Sequence, residues 1–226
     1  MTQAGPAHGP ALHWRALQLQ DLQAMHDLHL LGIAGLPAQI VKPESLQFLQ
    51  ELLQGRGHVL GAWEEGTLVA YGVLQHDLLP EDRPHALLGL APQAPLRKLA
   101  GAVVHPRWRG RGLQRQLILQ RLALAGPEAV FATAAPGNAA SWHSLLACGL
   151  AVRALQYRYG GHARYLLARE PAGTACWAGD PGAAQELGSD ALARQQTLLD
   201  QGWRGVAPGA TAACLRLEPP AGWAAP

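Results

Sequence analysis

Between His105 and Gly112 the chain reads His-Pro-Arg-Trp-Arg-Gly-Arg-Gly, directly after the apolar run Leu99 to Val104. The segment that follows, Leu113 to Ala125, places Leu113, Leu117, Ile118, Leu122 and Leu124 mostly on one side of a helix. The arginine-glycine stretch is therefore a strand-to-helix turn. Such a turn presents unpaired N–H groups and a partial positive charge, which suit an anion. Gly110 and Gly112 lack a Cβ and let the backbone approach a phosphate, while Arg109 and Arg111 add charge that can grip phosphate oxygens in pairs. A pyrophosphate fits these features; a solvated surface bend would use the same residues. Neither a P-loop Gly-Lys-Ser/Thr nor a GxGxxG after the first strand is present.

The elements that must hold this turn follow from periodicity and stop signals. His13 to Leu17 is expected as a strand, and Asp21 as the cap of a helix whose Leu22, Met25, Leu28 and Leu31 recur at helical spacing. Pro43-Glu44-Ser45 opens a second helix, Leu46 to Leu53, stopped by Gly55. His58 to Trp63 and Thr67 to Leu74 form a hairpin around Glu64-Glu65-Gly66. Residues 76 to 96 carry four prolines and little periodicity, and a loop of that length is functional or mobile. Leu99 to Val104 and Ala129 to Ala134 are strands, and Pro136-Gly137-Asn138 leads into a helix that runs to Cys148 and is stopped by Gly149. Ala151 to Tyr157 and His162 to Ala168 pair around Gly160-Gly161. The order β-α-α-β-β-β-α-β-α-β-β implies an α/β fold with a mixed sheet and helices on its faces.

From Glu170 the composition shifts to Ala, Gly and Pro, with a short strand at Cys176-Trp177, a helix from Ser189 to Gln201 and a last strand from Ala212 to Leu217. The expected organisation is a loose leader (1–10), one domain (11–169) and a small β-α-β extension (170–226). Ser144 to Leu150 and Thr197 to Trp203 look alike, each a helix end with a glycine stop before a strand. That pattern is common, so the two are read as ordinary helix stops rather than an internal repeat.

The 226 residues carry a formal charge of only +2, which gives no field that would select nucleic acid or an anionic membrane. Cys148, Cys176 and Cys214 are odd in number and form no CxxC or Cys/His ligand pattern, so neither a disulfide framework nor a metal site is expected. No signal-like N-terminal segment and no run of about 18 apolar residues is present. A cytoplasmic, bacterial protein with no membrane partner is expected.

Val104-His-Pro-Arg-Trp-Arg-Gly-Arg-Gly-Leu-Gln114, then a helix, a strand, and Pro136-Gly-Asn138-Ala-Ala-Ser141 with Gly149-Leu150 eleven residues after the Asn, resembles the GCN5-related N-acetyltransferases (GNAT). The resemblance spans about residues 12 to 168. It implies a mostly antiparallel central sheet and acetyl-CoA as acyl donor. The pyrophosphate would be held by the amides of the turn, Arg109, Gly110, Arg111, Gly112, Leu113 and Gln114, where glutamine replaces the family's last small residue. The pantetheine arm would lie along Ala102, Val103 and Val104, and Asn138 and Ser141 would open the helix beside the cofactor.

Acyl transfer from a thioester to an amine needs a neutral amine, a donor for the oxyanion and a proton for the thiolate. The resemblance assigns the oxyanion to a free amide near Ala102 to Val104. Leu145 stands where the family often has a tyrosine acid, which leaves water, Tyr157, Tyr159 or His143. The strand Arg97 to Val104 has no carboxylate to act as base; Glu64 and Glu65 belong to a solvated turn, and His76, whose imidazole can accept a proton, is the candidate. His105 lies on the phosphate side, too far from the thioester. Trp14, Trp63, Trp142 and Trp177 are read as core residues before pocket walls. The implied activity is acetyl transfer to a small-molecule or peptide amine. The alternatives are another acyl-CoA donor, O-acylation, or a CoA-binding sensor without turnover, and self-association is left open.

Overall fold

A computed structural model describes residues 12–223 except residue 175. The leader expected at 1–10 lies outside them. The elements are β1 (His13–Ala16), α1 (Leu22–Ile33), α2 (Leu46–Glu51), β2 (Gly57–Glu64), β3 (Thr67–Gln75), β4 (Leu96–Val104), α3 (Leu113–Ala125), β5 (Ala129–Ala134), α4 (Ala139–Leu146), β6 (Ala151–Arg158), β7 (His162–Arg169), β8 (Gln185–Gly188), α5 (Leu192–Asp200), β9 (Arg204–Pro208) and β10 (Cys214–Glu218). They form one ten-stranded sheet in the order β1-β2-β3-β4-β5-β7-β6-β9-β10-β8. Every pairing is antiparallel except β4 with β5.

Strand alternation sorts the apolar side chains to two faces. On the front, Met25 and Leu28 of α1, Leu49 of α2 and Leu52 just after it pack on Tyr71 and Val103. On the back, Ile118, Leu122, Trp142, Leu145, Leu198 and Leu199 of α3, α4 and α5 pack on Val130, Val152, Leu167 and Leu215. Leu78 and Leu88 of the 76 to 96 loop join Phe131 and Leu166, so part of this loop closes the front face. Asp21 stands at the start of α1 without capping it. Its carboxylate instead accepts from both terminal nitrogens of Arg15, each at 2.7 Å, and from the Gln18 N–H, and this guanidinium holds its carboxyl below the usual range.

The extension continues the sheet and has one strand more than expected. Cys176-Trp177 is not a strand, and the first strand of the extension is Gln185–Gly188. Arg204–Pro208 forms β9, which no sequence signal predicts.

The likeness between Ser144 to Leu150 and Thr197 to Trp203 also proves to be part of a structural repeat, correcting the reading as unrelated helix stops. The unit β5-α4-β6-β7 recurs as β8-α5-β9-β10, down to the pairing. Ala151↔Ala168 and Val152↔Leu167 in the first hairpin answer to Arg204↔Glu218 and Gly205↔Leu217 in the second. Both registers then skip a residue, and Ala154↔Leu166 and Leu155↔Tyr165 answer to Ala207↔Arg216 and Pro208↔Leu215. On the outer side, Ala132↔Leu167 and Ala134↔Tyr165 answer to Gln185↔Leu217 and Leu187↔Leu215. The units meet where Val152 pairs with its own counterpart, Gly205, so a pseudo-twofold axis passes between them. A Cβ at Gly205 would come within 2.9 Å of Val152 Cβ, which is why glycine stands there. The second unit has Ala191 and Arg194 where the first has Asn138 and Ser141, and nothing like the glycine turn precedes it.

Because Trp203 is 1% exposed inside a core that both units share, truncation should be felt by the whole chain. Trp203→Ala is expected to cost about 3–5 kcal/mol. In urea, fluorescence and circular dichroism should still report one shared transition; a separate early transition of the extension would contradict a common core.

Candidate active site

The parallel pairing of β4 with β5 runs only from Leu96↔Ala129 to Leu99↔Ala132. Beyond it, β4 continues to Val104 and β5 to Ala134 without pairing, and the sheet opens there into a V. His105 N–H donates to the Val69 carbonyl at 2.8 Å, and Val103 pairs with Tyr71. By alternation the N–H groups of Ala102 and Val104 face away from β3 and into the V.

A bulge in β4 opposite β3 sets this geometry, since the register shifts between Gly72 and Leu74. Arg121 of α3, 1% exposed, holds it from behind: Nη1 donates to the carbonyls of Val73 (3.0 Å) and Ala100 (3.3 Å), and Nε to Leu117. Burial pushes this guanidinium down to about 10. Gly72 makes room for it, because a Cβ there would lie 2.9 Å from Arg121 Cζ.

At the mouth of the V, Gly110 (φ 78°) and Gly112 (φ 77°) adopt left-handed conformations. Gly112 is the N-cap of α3. The N–H groups of the first turn of α3 have no carbonyl earlier in the helix to bond, so they point into the turn. Arg109 does not supply free charge as expected. Its Nη2 donates to Gly32 O (2.8 Å) at the end of α1, its Nε reaches Val104 O (3.4 Å), and its N–H donates to Pro106 O. It ties the turn to α1 and β4. Arg111 lies over the Trp108 ring at 4.5 Å. On the other side of the V, the Asn138 side chain accepts from Ser141 N–H and Trp142 Nε1 donates to Pro136 O, fixing the β5-α4 turn.

On the front face, over β3 and β4, the structure brings together groups that no sequence spacing joins. The Glu44 N–H donates to His29 Nε2 (2.9 Å), so Nδ1 carries the proton and donates to the Tyr71 hydroxyl (2.9 Å). Burial lowers His29 and keeps it neutral, and burial together with Glu44 raises Tyr71 well above the usual phenol range. The Glu44 side chain is 23% exposed, and burial pushes its carboxyl up against the opposing pull of Lys42 and Lys98. Its signal in the sequence is slight, a carboxylate just before the Ser45 cap of α2. Further along the floor, Asp82 lies 3.6 Å from Lys98 and 2.9 Å from Arg158.

Other sequence candidates scatter. Gln75 pairs with Lys98, four residues along β4 from Ala102, so His76 lies roughly 15 Å from that amide at 3.3 Å per residue. Its Nε2 bonds Gly55 O and it packs beside His58, away from the V. Tyr157 is 63% exposed. Tyr159 sits at the β6-β7 turn with φ 53°, its ring between Lys42 (5.4 Å) and Arg164 (5.6 Å). Leu145 and Trp142 are core. His143 Nε2 bonds Ala212 O, and His105 Nδ1 accepts from Arg107 N–H.

The arrangement is a splayed parallel pair beside a glycine turn at a helix N-terminus, in a mixed sheet. Residues 25–150 match the model of the acetyltransferase (GNAT) family, and the chain belongs to that family. The fold is similar to the ribosomal-protein-S18-alanine N-acetyltransferase of Escherichia coli (TM-score 0.55, 17% identity, 74% of this chain and 97% of that one). It is similar as well to yncA of Salmonella typhimurium, a candidate acetyltransferase solved with its cofactor acetyl-CoA (TM-score 0.54, 17% identity, 74% and 97%). A third structure of the same fold is an N-acetyltransferase of Staphylococcus aureus Mu50 (TM-score 0.52, 14% identity, 71% and 98%). At these identities the likeness is one of fold. No curated protein matches the sequence. Among the described residues no helix is long and apolar enough to cross a membrane, and no group of three or more His, Cys, Asp or Glu could hold a metal ion.

Proposed function

We propose that the protein is an acetyl-CoA-dependent N-acetyltransferase acting on a small-molecule or peptide amine by direct attack on the thioester. The observation that carries this is the V where β4 and β5 stop pairing, with the glycine turn at its mouth and Glu44 acting on Tyr71, the partner of Val103, on the front face. The amides from Gly110 to Gln114 receive the pyrophosphate, and Arg109 keeps the turn in register with β4. Bound acetyl-CoA supplies an activated acyl group. The N–H of Ala102 donates to the thioester oxygen as charge develops there. Glu44 takes the proton of the attacking amine, directly or through one water, as the C–N bond forms and the C–S bond breaks. The released thiolate is protonated by water, since Leu145 offers no proton and the Tyr71 hydroxyl is too weak an acid.

A thiol-release assay with acetyl-CoA against amines, amino acids and peptides tests this reading. Release on one amine class is expected. Acetyl-CoA binding without release on any amine would contradict it and make the protein a CoA-binding module.

A further inference from the structure

The front face of the sheet holds a cation that no described carboxylate answers. Arg164 of β7 is 4% exposed. Its Nη1 donates to the carbonyls of Gln39 (2.7 Å) and Ala163 (2.8 Å), while Nε and Nη2 have no protein partner among the described residues. The described carboxylates on this face are paired with other cations. Asp82, from the 76 to 96 loop, is shared by Lys98 of β4 and Arg158 of β6. Glu44, from the α1-α2 connection, lies 3.8 Å from Lys42. Tyr159 offers Arg164 only its ring face. A nearly buried guanidinium is ordinarily matched by a carboxylate, and no described side chain supplies one.

A second observation points to the same spot. Gln156 pairs with Arg164 across β6 and β7, so both side chains share the front face. Its Oε1 is buried without a hydrogen-bond partner among the described residues. An amide can sit either way round, so the same group can offer Nε2 as a donor on the face that carries Arg164. A guanidinium with an amide donor on the same face is chemistry that can receive a carboxylate.

We propose that the acceptor amine carries a carboxylate, as an amino acid does, and that Arg164 with Gln156 binds it. The inference rests on the acetyltransferase reading only for which face the acceptor enters. Arg164 is a specificity residue: it fixes the acceptor's anionic end and leaves proton removal to Glu44. The Gln39 carbonyl on its Nη1 also ties the α1-α2 connection to β7.

The test uses the full-length protein saturated with CoA and two matched ligand panels: the N-acetyl derivatives of the common amino acids, and their amides, which lack the carboxylate charge. Equilibrium binding should favour at least one acid over its amide by about tenfold or more. Arg164→Met should erase that preference and Arg164→Lys should keep part of it, with both variants melting within a few degrees of the parent. Equal binding of acid and amide across the panel, no binding of either, or a preference that survives Arg164→Met would overturn the proposal. Thiol release with the free amino acids and their methyl esters separates the two claims. An acid preference in binding with no thiol release on any amine would leave the carboxylate site standing and remove the acetyltransferase reading.

Discussion

Gly112→Val is expected to weaken acetyl-CoA binding by at least about 100-fold, roughly 2.7 kcal/mol, while the protein stays folded. Gly112 has φ 77° and stands at the N-cap of α3. A β-branched residue is excluded from that conformation, so the turn must rotate, and the amides of Leu113 and Gln114 no longer converge on one point. The space around Gly112 is open, with no atom within 4 Å of where a Cβ would stand, so the damage is to backbone conformation rather than to packing. Strain of about 1–3 kcal/mol is small beside the stability of a domain of ordinary size. Gly112→Ala should give a smaller loss of affinity in the same direction. Calorimetric titration of each variant, with melting curves as the control, checks this. Full affinity in Gly112→Val would leave the turn without a part in cofactor binding.

The second large effect is expected at Glu44. Glu44→Gln should lower kcat by about 10²–10³, the range for loss of a positioned base, with little change in acetyl-CoA affinity. The direction of its pKa sets the pH dependence. Burial raises the carboxyl, so the base becomes available only as pH rises through that raised value, above the ordinary carboxylate near 4.3. The acidic limb of kcat/KM should therefore lie above the usual carboxylate range and vanish in the amide variant. The same sign governs stability. A folded-state pKa raised above the unfolded value means that folding favours the protonated acid, and that stability is lost as pH rises through the folded pKa. Glu44→Gln mimics the neutral form, so at neutral pH it should be at least as stable as the parent. Loss of activity together with stability would point to a structural role instead.

How far the sequence foretells these features depends on where their causes lie. The elements from β1 to β7 and their mixed sheet follow from local signals: alternation in His58 to Trp63 and Thr67 to Leu74, and glycine stops at Gly55 and Gly149. The turn at Gly110 and Gly112 is legible for the same reason, since its conformation is a property of those two residues. Glu44 and Arg164 are not legible, because what distinguishes them is burial and the company they keep across the groove, which no spacing records. His76 has suitable ring chemistry, but strand register carries it to the wrong end of β3. Arg109 reads as free charge because nothing in the sequence says that Gly32 O lies beside it.

The extension escapes the sequence for a different reason. Arg-Gly-Val-Ala-Pro has weak strand propensity, and β9 forms because the edge of β6 and the partner β10 template it. The repeat is faint because its equivalent positions carry different solutions to the same packing problem. Trp142 answers to Gln195, Leu150 to Trp203, Val152 to Gly205 and Tyr165 to Leu215. Gln195 and Tyr165 even bond to each other, with the hydroxyl donating to Oε1 at 2.7 Å, which locks the second unit to the first.

The central claim is that the V between β4 and β5, with the glycine turn at its mouth, is an acetyl-CoA site. Calorimetric titration of the full chain with acetyl-CoA tests it most directly. One site per chain, competed by CoA and lost in Gly112→Val, is the predicted result; the absence of saturable binding would reduce the turn to a solvated bend and contradict the account at its root.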